Sequence, residues 1–221
     1  MELLTTLLDF ILRLDVHLAA IVRDHGALIY VVLFAIVFAE TGLVVMPFLP
    51  GDSMLFIAGS LAAVAAPGDM NVHIVVATLI VAAFTGNLVN YFVGRYFGKR
   101  LFVDPKARFF KPQTLEKTHE FYEKWGGIAV IMARFAPFLR TFIPFVAGMG
   151  EMGRRKFTLY SAIGSVAWVA SLVYLGYVFG NVPWIKKNIG ILAIAIVVLS
   201  LTPILYAMAK SYFKSRRRSA R

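Results

Sequence analysis

The chain of 221 residues is 59% hydrophobic and 16% charged, and its mean hydropathy of +0.74 lies well above that of a soluble globular domain. Cysteine is absent, which excludes a disulfide scaffold, a thiolate metal site and a thiol nucleophile. The net charge of +11 sits mostly at the ends of apolar segments, where it sets membrane orientation or meets anionic lipid rather than nucleic acid. These properties predict an all-α polytopic membrane protein: one integral domain whose partner is the bilayer.

Residues 1–26 place Thr6, Asp9, Arg13, His17, Ala20 and Asp24 at spacings of three or four, with Leu7, Leu8, Ile11, Leu14, Leu18 and Ile21 between them. That pattern predicts an amphipathic interfacial helix, and its charges fall where a cleavable signal would be apolar. Residues 27–46 are apolar except for Glu40 and read as a span. Pro47 to Ser53 then precede the apolar run Met54–Ala66, thirteen residues that reach only about 20 Å as helix against a hydrocarbon core of about 30 Å. A re-entrant hairpin over about 47–66 is expected, broken at Pro50 and Gly51 and lining a cavity that covers its unpaired backbone. Residues 72–98 form a full span with Asn87, Tyr91 and Arg95 on one face, closing a first repeat over 27–98.

The insert 99–127 holds seven Lys/Arg against four Asp/Glu, with Pro112 and Gly126 bounding an expected surface helix. A second repeat over 128–180 opens with a hairpin over about 128–150 and continues as a span from Thr158 to Gly180. Residues 189–209 form the last span, and 210–221 are a basic tail. Within the second hairpin, A-R-F-A-P-F-L-R-T-F-I-P carries Arg134 and Arg140 around Pro137 and Pro144. An unbroken helix would set the two arginines roughly 240° apart, and proline breaks let both face one spot. Each costs about 2.5–3.5 kcal/mol in a bilayer interior even on the mildest scale, so each needs a partner or a watery cavity.

Orientation follows from the 23 Lys and Arg. With four spans and a cytoplasmic tail, eighteen fall inside, Lys186 and Lys187 outside, and Arg95, Arg134 and Arg140 within apolar segments, so both termini are expected in the cytoplasm.

The hairpins are alike: Pro47-Phe48-Leu49-Pro50 followed by Ala58-Gly59 matches Pro137-Phe138-Leu139-Arg140 followed by Ala147-Gly148. The spans end alike too, in Gly94 to Gly98 and Gly176 to Gly180, each a Gly-x-x-x-Gly that serves close contact within one chain or in a homodimer. Opposite topologies make this an inverted repeat of re-entrant hairpin plus transmembrane helix, a transporter architecture. The first half supplies Glu40 and Asp52, the second Arg134 and Arg140. Guanidinium forks suit phosphate oxygens, so the arginines are candidates to bind a phosphate, the carboxylates to carry protons or compete for the arginines, and Thr41, Ser53 and Thr141 to add hydroxyl contacts.

E-T-G-L-V-V-M-P-F-L-P-G-D-S (40–53), G-N-L-V-N-Y-F-V-G-R-Y-F-G (86–98), A-R-F-A-P-F-L-R-T-F-I-P-F-V-A-G-M-G (133–150) and G-Y-V-F-G (176–180) resemble the signatures of the DedA family, also called the VTT or SNARE-associated family. The resemblance implies a bacterial inner-membrane protein whose relatives are implicated in returning undecaprenyl phosphate across the membrane or in moving phospholipids, with proton coupling proposed. Its essential acidic and arginine positions map onto Glu40, Asp52, Arg134 and Arg140; some relatives carry Asp where this chain has Asn87.

The leading expectation is therefore a translocase for an anionic lipid, polyprenyl phosphate or phospholipid, and not an enzyme. A phospholipid scramblase and a proton-coupled cation or drug antiporter compete, the latter disfavoured by two fixed positive charges. A lipid phosphatase needs a nucleophile and an acid, yet His17, His25, His73 and His119 show no active-site spacing. No cofactor is expected and no metal motif appears.

Overall fold

The computed structural model describes residues 18, 26–43, 51–66, 69–102, 127–136, 139–180 and 182. The interfacial helix expected over 1–26 falls almost wholly outside the described residues, as do Pro47, Pro50, most of the 99–127 insert, Pro137, the span 189–209 and the tail.

Among the described residues every regular element is helical: α1 Leu28–Gly42, α2 Gly51–Val64, α3 Val72–Phe102, α4 Ile128–Ala133, α5 Leu139–Met149 and α6 Arg154–Gly180. Among the described residues two stretches are long and apolar enough to cross a bilayer, Val72–Phe97 within α3 and the whole of α6. Their 26 and 27 residues reach about 40 Å, past the roughly 30 Å of hydrocarbon. α3 starts cleanly because the Asn71 side-chain oxygen accepts the backbone N–H of His73 at 2.9 Å, leaving one fewer bare donor in its first turn. α5 ends on paired bonds from Glu151 N to Gly148 O and from Met152 N to Ala147 O, a left-handed terminus with Glu151 at φ 58°.

The long helices run antiparallel, tied near one end by His73 and Tyr174 at 2.9 Å and midway by Asn87 and Ser161 at 3.3 Å. α1 lies along the first half of α3 in the same direction. Its Tyr30 hydroxyl accepts the Asn71 N–H at 2.8 Å, and at its far end a Cβ on Gly42 would sit 3.3 Å from Gly86 Cα. The full span expected over 27–46 is therefore corrected: α1 has 15 residues, about 22 Å, and stops halfway along α3. The start of α1 consequently shares an end of the bundle with the start of α3, where a full span would have separated them. The return is made by α2, which starts at Gly51, and the turn between the two helices lies outside the described residues.

The remaining short helices follow the same scheme at the other end. α4 runs beside the start of α6, with Gly127 under the Tyr160 ring and a Cβ on Gly164 placed 3.3 Å from Ile131 Cα. α5 runs beside the last part of α3. Four glycines set the crossings: Gly59 faces the Val173 carbonyl and Gly176 the Phe56 carbonyl, while Gly148 faces the Tyr91 carbonyl and Gly94 the Phe145 carbonyl. Lipid gives apolar helices no hydrophobic drive to associate, so close backbone approach supplies the packing.

Pro144 was expected to break the second hairpin and instead lies buried inside α5, which continues through it. A proline at this position forfeits one amide donor, and the helix is otherwise held by packing against α3. The surface inverts the soluble pattern, with Val81, Val89, Ile163, Val166 and Val178 exposed while Glu40, Asn87, Asn90, Arg134, Arg140 and Ser161 are buried.

A buried charge cluster where the short helices end

Three of the four charges singled out in the sequence meet where α1, α2 and α5 terminate. Glu40 occupies the last turn of α1 and is fully buried. Its Oε1 accepts the backbone N–H of Gly51 at 3.2 Å and a second bond from Arg140 Nη2. Glycine at 51 lets the two pack this closely, because a Cβ at that position would strike the Glu40 carboxylate. Asp52 follows in the first turn of α2, where the helix dipole favours an anion, and its Oδ1 accepts Arg140 Nη1 at 2.8 Å.

Arg140 thus spends its two Nη groups on carboxylates from the other half of the chain. It stands in the first turn of α5, the end of a helix that disfavours a cation, so the two carboxylates offset both burial and dipole. Asp52 keeps 18% of its side chain exposed, whereas Glu40 and Arg140 keep 0% and 4%, so the cluster is open on the Asp52 side.

Two residues that the sequence reading passed over complete the cluster. Trp168 of α6, 1% exposed, donates its indole N–H to Asp52 Oδ1 at 2.9 Å and lies under the Arg140 guanidinium at 5.3 Å. Asn90 of α3 donates its amide to the Thr41 carbonyl at 3.2 Å and to the Thr141 carbonyl at 2.7 Å, bridging the end of α1 to the start of α5. A tryptophan or asparagine in an apolar run carries no local sign of such a partner, since the contact is made across helices.

Arg134 lies within electrostatic reach of Arg140 but makes its hydrogen bonds with other groups. It follows α4, is 2% exposed, and its Nη2 reaches the Ala83 carbonyl and the Ser161 hydroxyl, each at 3.4 Å. The expected face of Asn87, Tyr91 and Arg95 divides in the same way. Asn87 bonds Ser161, whereas Tyr91 stacks on Phe157 at 4.3 Å and donates its hydroxyl to the Met152 carbonyl, with Arg95 donating to that hydroxyl at 2.9 Å. Tyr91 therefore braces the end of α5 and does not touch the charge cluster.

The Thr41 hydroxyl turns back to the Val37 carbonyl of its own helix at 2.8 Å, and it is the Thr41 backbone that serves the junction. Ser53 and Thr141 are buried in the first turns of α2 and α5. Among the described residues, no three His, Cys, Asp or Glu side chains are grouped to hold a metal ion.

Residues 49–178 match the VTT domain. Protein DedA of Escherichia coli K12 is 50% identical over 203 residues, 92% of each chain. The uncharacterized membrane protein Rv0364 of Mycobacterium tuberculosis H37Rv is 40% identical over 82% of this chain and 79% of its own. Inner membrane protein YqjA of Escherichia coli K12 is 33% identical over 96% of this chain and 94% of its own. No solved structure matches. With this coverage, and with two apolar helices long enough to span a bilayer, the chain is a membrane protein and belongs to the VTT-domain, or DedA, family.

Proposed function

We propose that this protein translocates a lipid carrying an anionic phosphate group across the bacterial inner membrane, with undecaprenyl phosphate as the leading substrate. The observation that carries this reading is Arg140, buried at the meeting point of short helices from opposite ends of the bundle and held by Glu40 and Asp52 of the other half. A guanidinium that two carboxylates already occupy becomes available to phosphate when a carboxylate is protonated or drawn away. Arg134 and Arg140 receive the head group in turn, Glu40 and Asp52 reset Arg140, and the lipid tail stays in the bilayer.

We read the two sets of three helices as an inverted repeat of re-entrant hairpin and transmembrane helix. The matched crossings, Gly59 and Gly176 in one pair and Gly148 and Gly94 in the other, support that relation. So does the direction of travel, since α1 and α2 enter from one end and α4 and α5 from the other. The basic insert 99–127 and the basic tail assign the α4–α5 end to the cytoplasm by the positive-inside rule. In this arrangement the start of α1 faces the outside.

The test is transport of fluorescent undecaprenyl phosphate and of fluorescent phospholipid in reconstituted vesicles, with and without a pH gradient. Arg140→Ala and Asp52→Asn are each expected to abolish transport while remaining folded in the membrane, and undiminished transport in both overturns the reading. Equal movement of phospholipid indicates a scramblase, gradient-driven uptake of a cationic dye indicates an antiporter, and release of inorganic phosphate indicates a phosphatase.

A further inference from the structure

The end of the bundle where α3 finishes and α6 begins concentrates positive charge on an aromatic shelf. Tyr91 and Phe92 meet edge to face at 5.4 Å, and Tyr96, one turn further along α3, stacks on Phe92 at 6.4 Å. Arg154, in the first turn of α6, lays its guanidinium over Phe92 at 5.8 Å, while Arg95 is held beside the same shelf by its bond to the Tyr91 hydroxyl. Arg155 and Lys156 follow Arg154 and are exposed. Among the described residues none of these four cations has an ion-pair partner, although Glu151 stands in the adjoining turn. The placement is unfavourable by itself, because like charges repel and the start of a helix carries a partial positive charge that opposes cations. A ring face attracts a guanidinium without neutralising it and leaves the N–H edge of the fork open to an acceptor. Such a cluster is stabilised by an anion from outside the chain.

We propose that Arg95 and Arg154, on the shelf of Tyr91, Phe92 and Tyr96, hold the head group of an anionic phospholipid from the leaflet on this side. That lipid stays bound as a brace and is distinct from any lipid moved through the Glu40–Arg140–Asp52 cluster. The surroundings favour a lipid over a soluble anion. Tyr96, Phe97 and Leu159 are 64%, 57% and 59% exposed beside the cations, so the neighbouring surface is apolar and suits acyl chains. Charge supplies selectivity. A head group ending in glycerol leaves the phosphate charge unopposed, whereas choline or ethanolamine adds a further cation to four. The brace acts on the end of α5: Arg95 Nη1 also reaches the Met152 carbonyl at 3.5 Å, and the Tyr91 hydroxyl donates to that same carbonyl. This site stands whether or not the chain moves lipid.

The full chain, purified in dodecyl maltoside, is offered equal amounts of phosphatidylglycerol and phosphatidylcholine with matched acyl chains. Retained lipid is counted by native mass spectrometry, and the thermal unfolding midpoint is followed in each lipid alone. Phosphatidylglycerol is expected to be retained and to raise the midpoint in a saturable manner, and phosphatidylcholine to do neither. Arg95→Gln combined with Arg154→Gln is expected to weaken phosphatidylglycerol binding about ten-fold or more. Arg217→Gln combined with Arg218→Gln removes the same charge from the basic tail and is expected to bind as the parent does, which separates a site from net charge. Phe92→Leu removes the ring under Arg154 without altering charge and is expected to weaken binding about three-fold. It carries the test if the double arginine variant does not fold. The proposal is overturned by equal retention of the two lipids or of neither, by parent-like binding in the folded double variant or in Phe92→Leu, or by an equal loss in the tail variant. An equal rise in midpoint with glycerol phosphate would make the ligand a soluble anion, and loss of binding in folded Arg140→Lys would assign the lipid to the central cluster; either result also overturns it.

Discussion

Trp168 donates its indole N–H to the same oxygen of Asp52 that accepts Arg140 Nη1, at 2.9 Å and 2.8 Å respectively. A single carboxylate oxygen thereby joins α2, α5 and α6. Trp168→Phe keeps an aromatic ring beneath the guanidinium and removes only the donor. Because Asp52 is partly exposed, the expected loss is about 1 kcal/mol, read from thermal unfolding in detergent. Trp168→Leu removes the ring contact as well and is expected to cost more; equal stability in the two variants would show that the ring contributes nothing.

Gly51 and Glu40 interlock more tightly than any sequence spacing suggests. Gly51→Ala drives a methyl group into the Glu40 carboxylate and is expected to cost about 1–3 kcal/mol, the usual range for overpacking. Glu40→Asp in the same background withdraws the carboxylate by one methylene and should recover part of that loss. A double-mutant cycle on unfolding midpoints measures the recovery, and strict additivity would contradict the contact.

The crossings at Gly59 and Gly148 make equivalent demands, each glycine lying against a carbonyl of the opposite long helix. Leucine at either position is expected to abolish folded yield, and to a similar degree, when assayed by size-exclusion profile. Gly153 serves as the control, since a Cβ there meets nothing within 4 Å, and Gly153→Ala should behave as the parent.

Asn90 ties the two fold-backs together through the Thr41 and Thr141 carbonyls. Asn90→Leu leaves two buried carbonyls without this donor, at an expected cost of about 2 kcal/mol or more. The absence of cysteine makes spin labelling simple, and Leu43→Cys with Phe142→Cys places labels on exposed positions of the two hairpins. The distance distribution between them is expected to broaden in the Asn90→Leu background. An unchanged distribution would show that other contacts hold the junction.

Much of this organisation was legible in the chain. The apolar run Met54–Ala66, too short to cross, marked a segment that turns back, and Glu40, Asp52, Arg134 and Arg140 stood out because a charge in such a segment demands a partner. Hydropathy gave a less reliable reading of 27–46, where apolar residues continue past Gly42 while the helix does not. Length of an apolar run bounds a helix without fixing where it stops, and here the described helix ends where Gly42 meets Gly86.

Composition, charge placement and paired motifs by themselves determined a helical membrane protein with acids in one half and arginines in the other. Only the tertiary structure decided that Arg140 takes both carboxylates while Arg134 turns to Ala83 and Ser161, and that Trp168 and Asn90 belong to the junction. The physical reason is that periodicity fixes the face of a helix on which a side chain lies. Its partner depends on the depth at which neighbouring helices end and on the glycines that let them approach, and both are settled between segments distant in the chain.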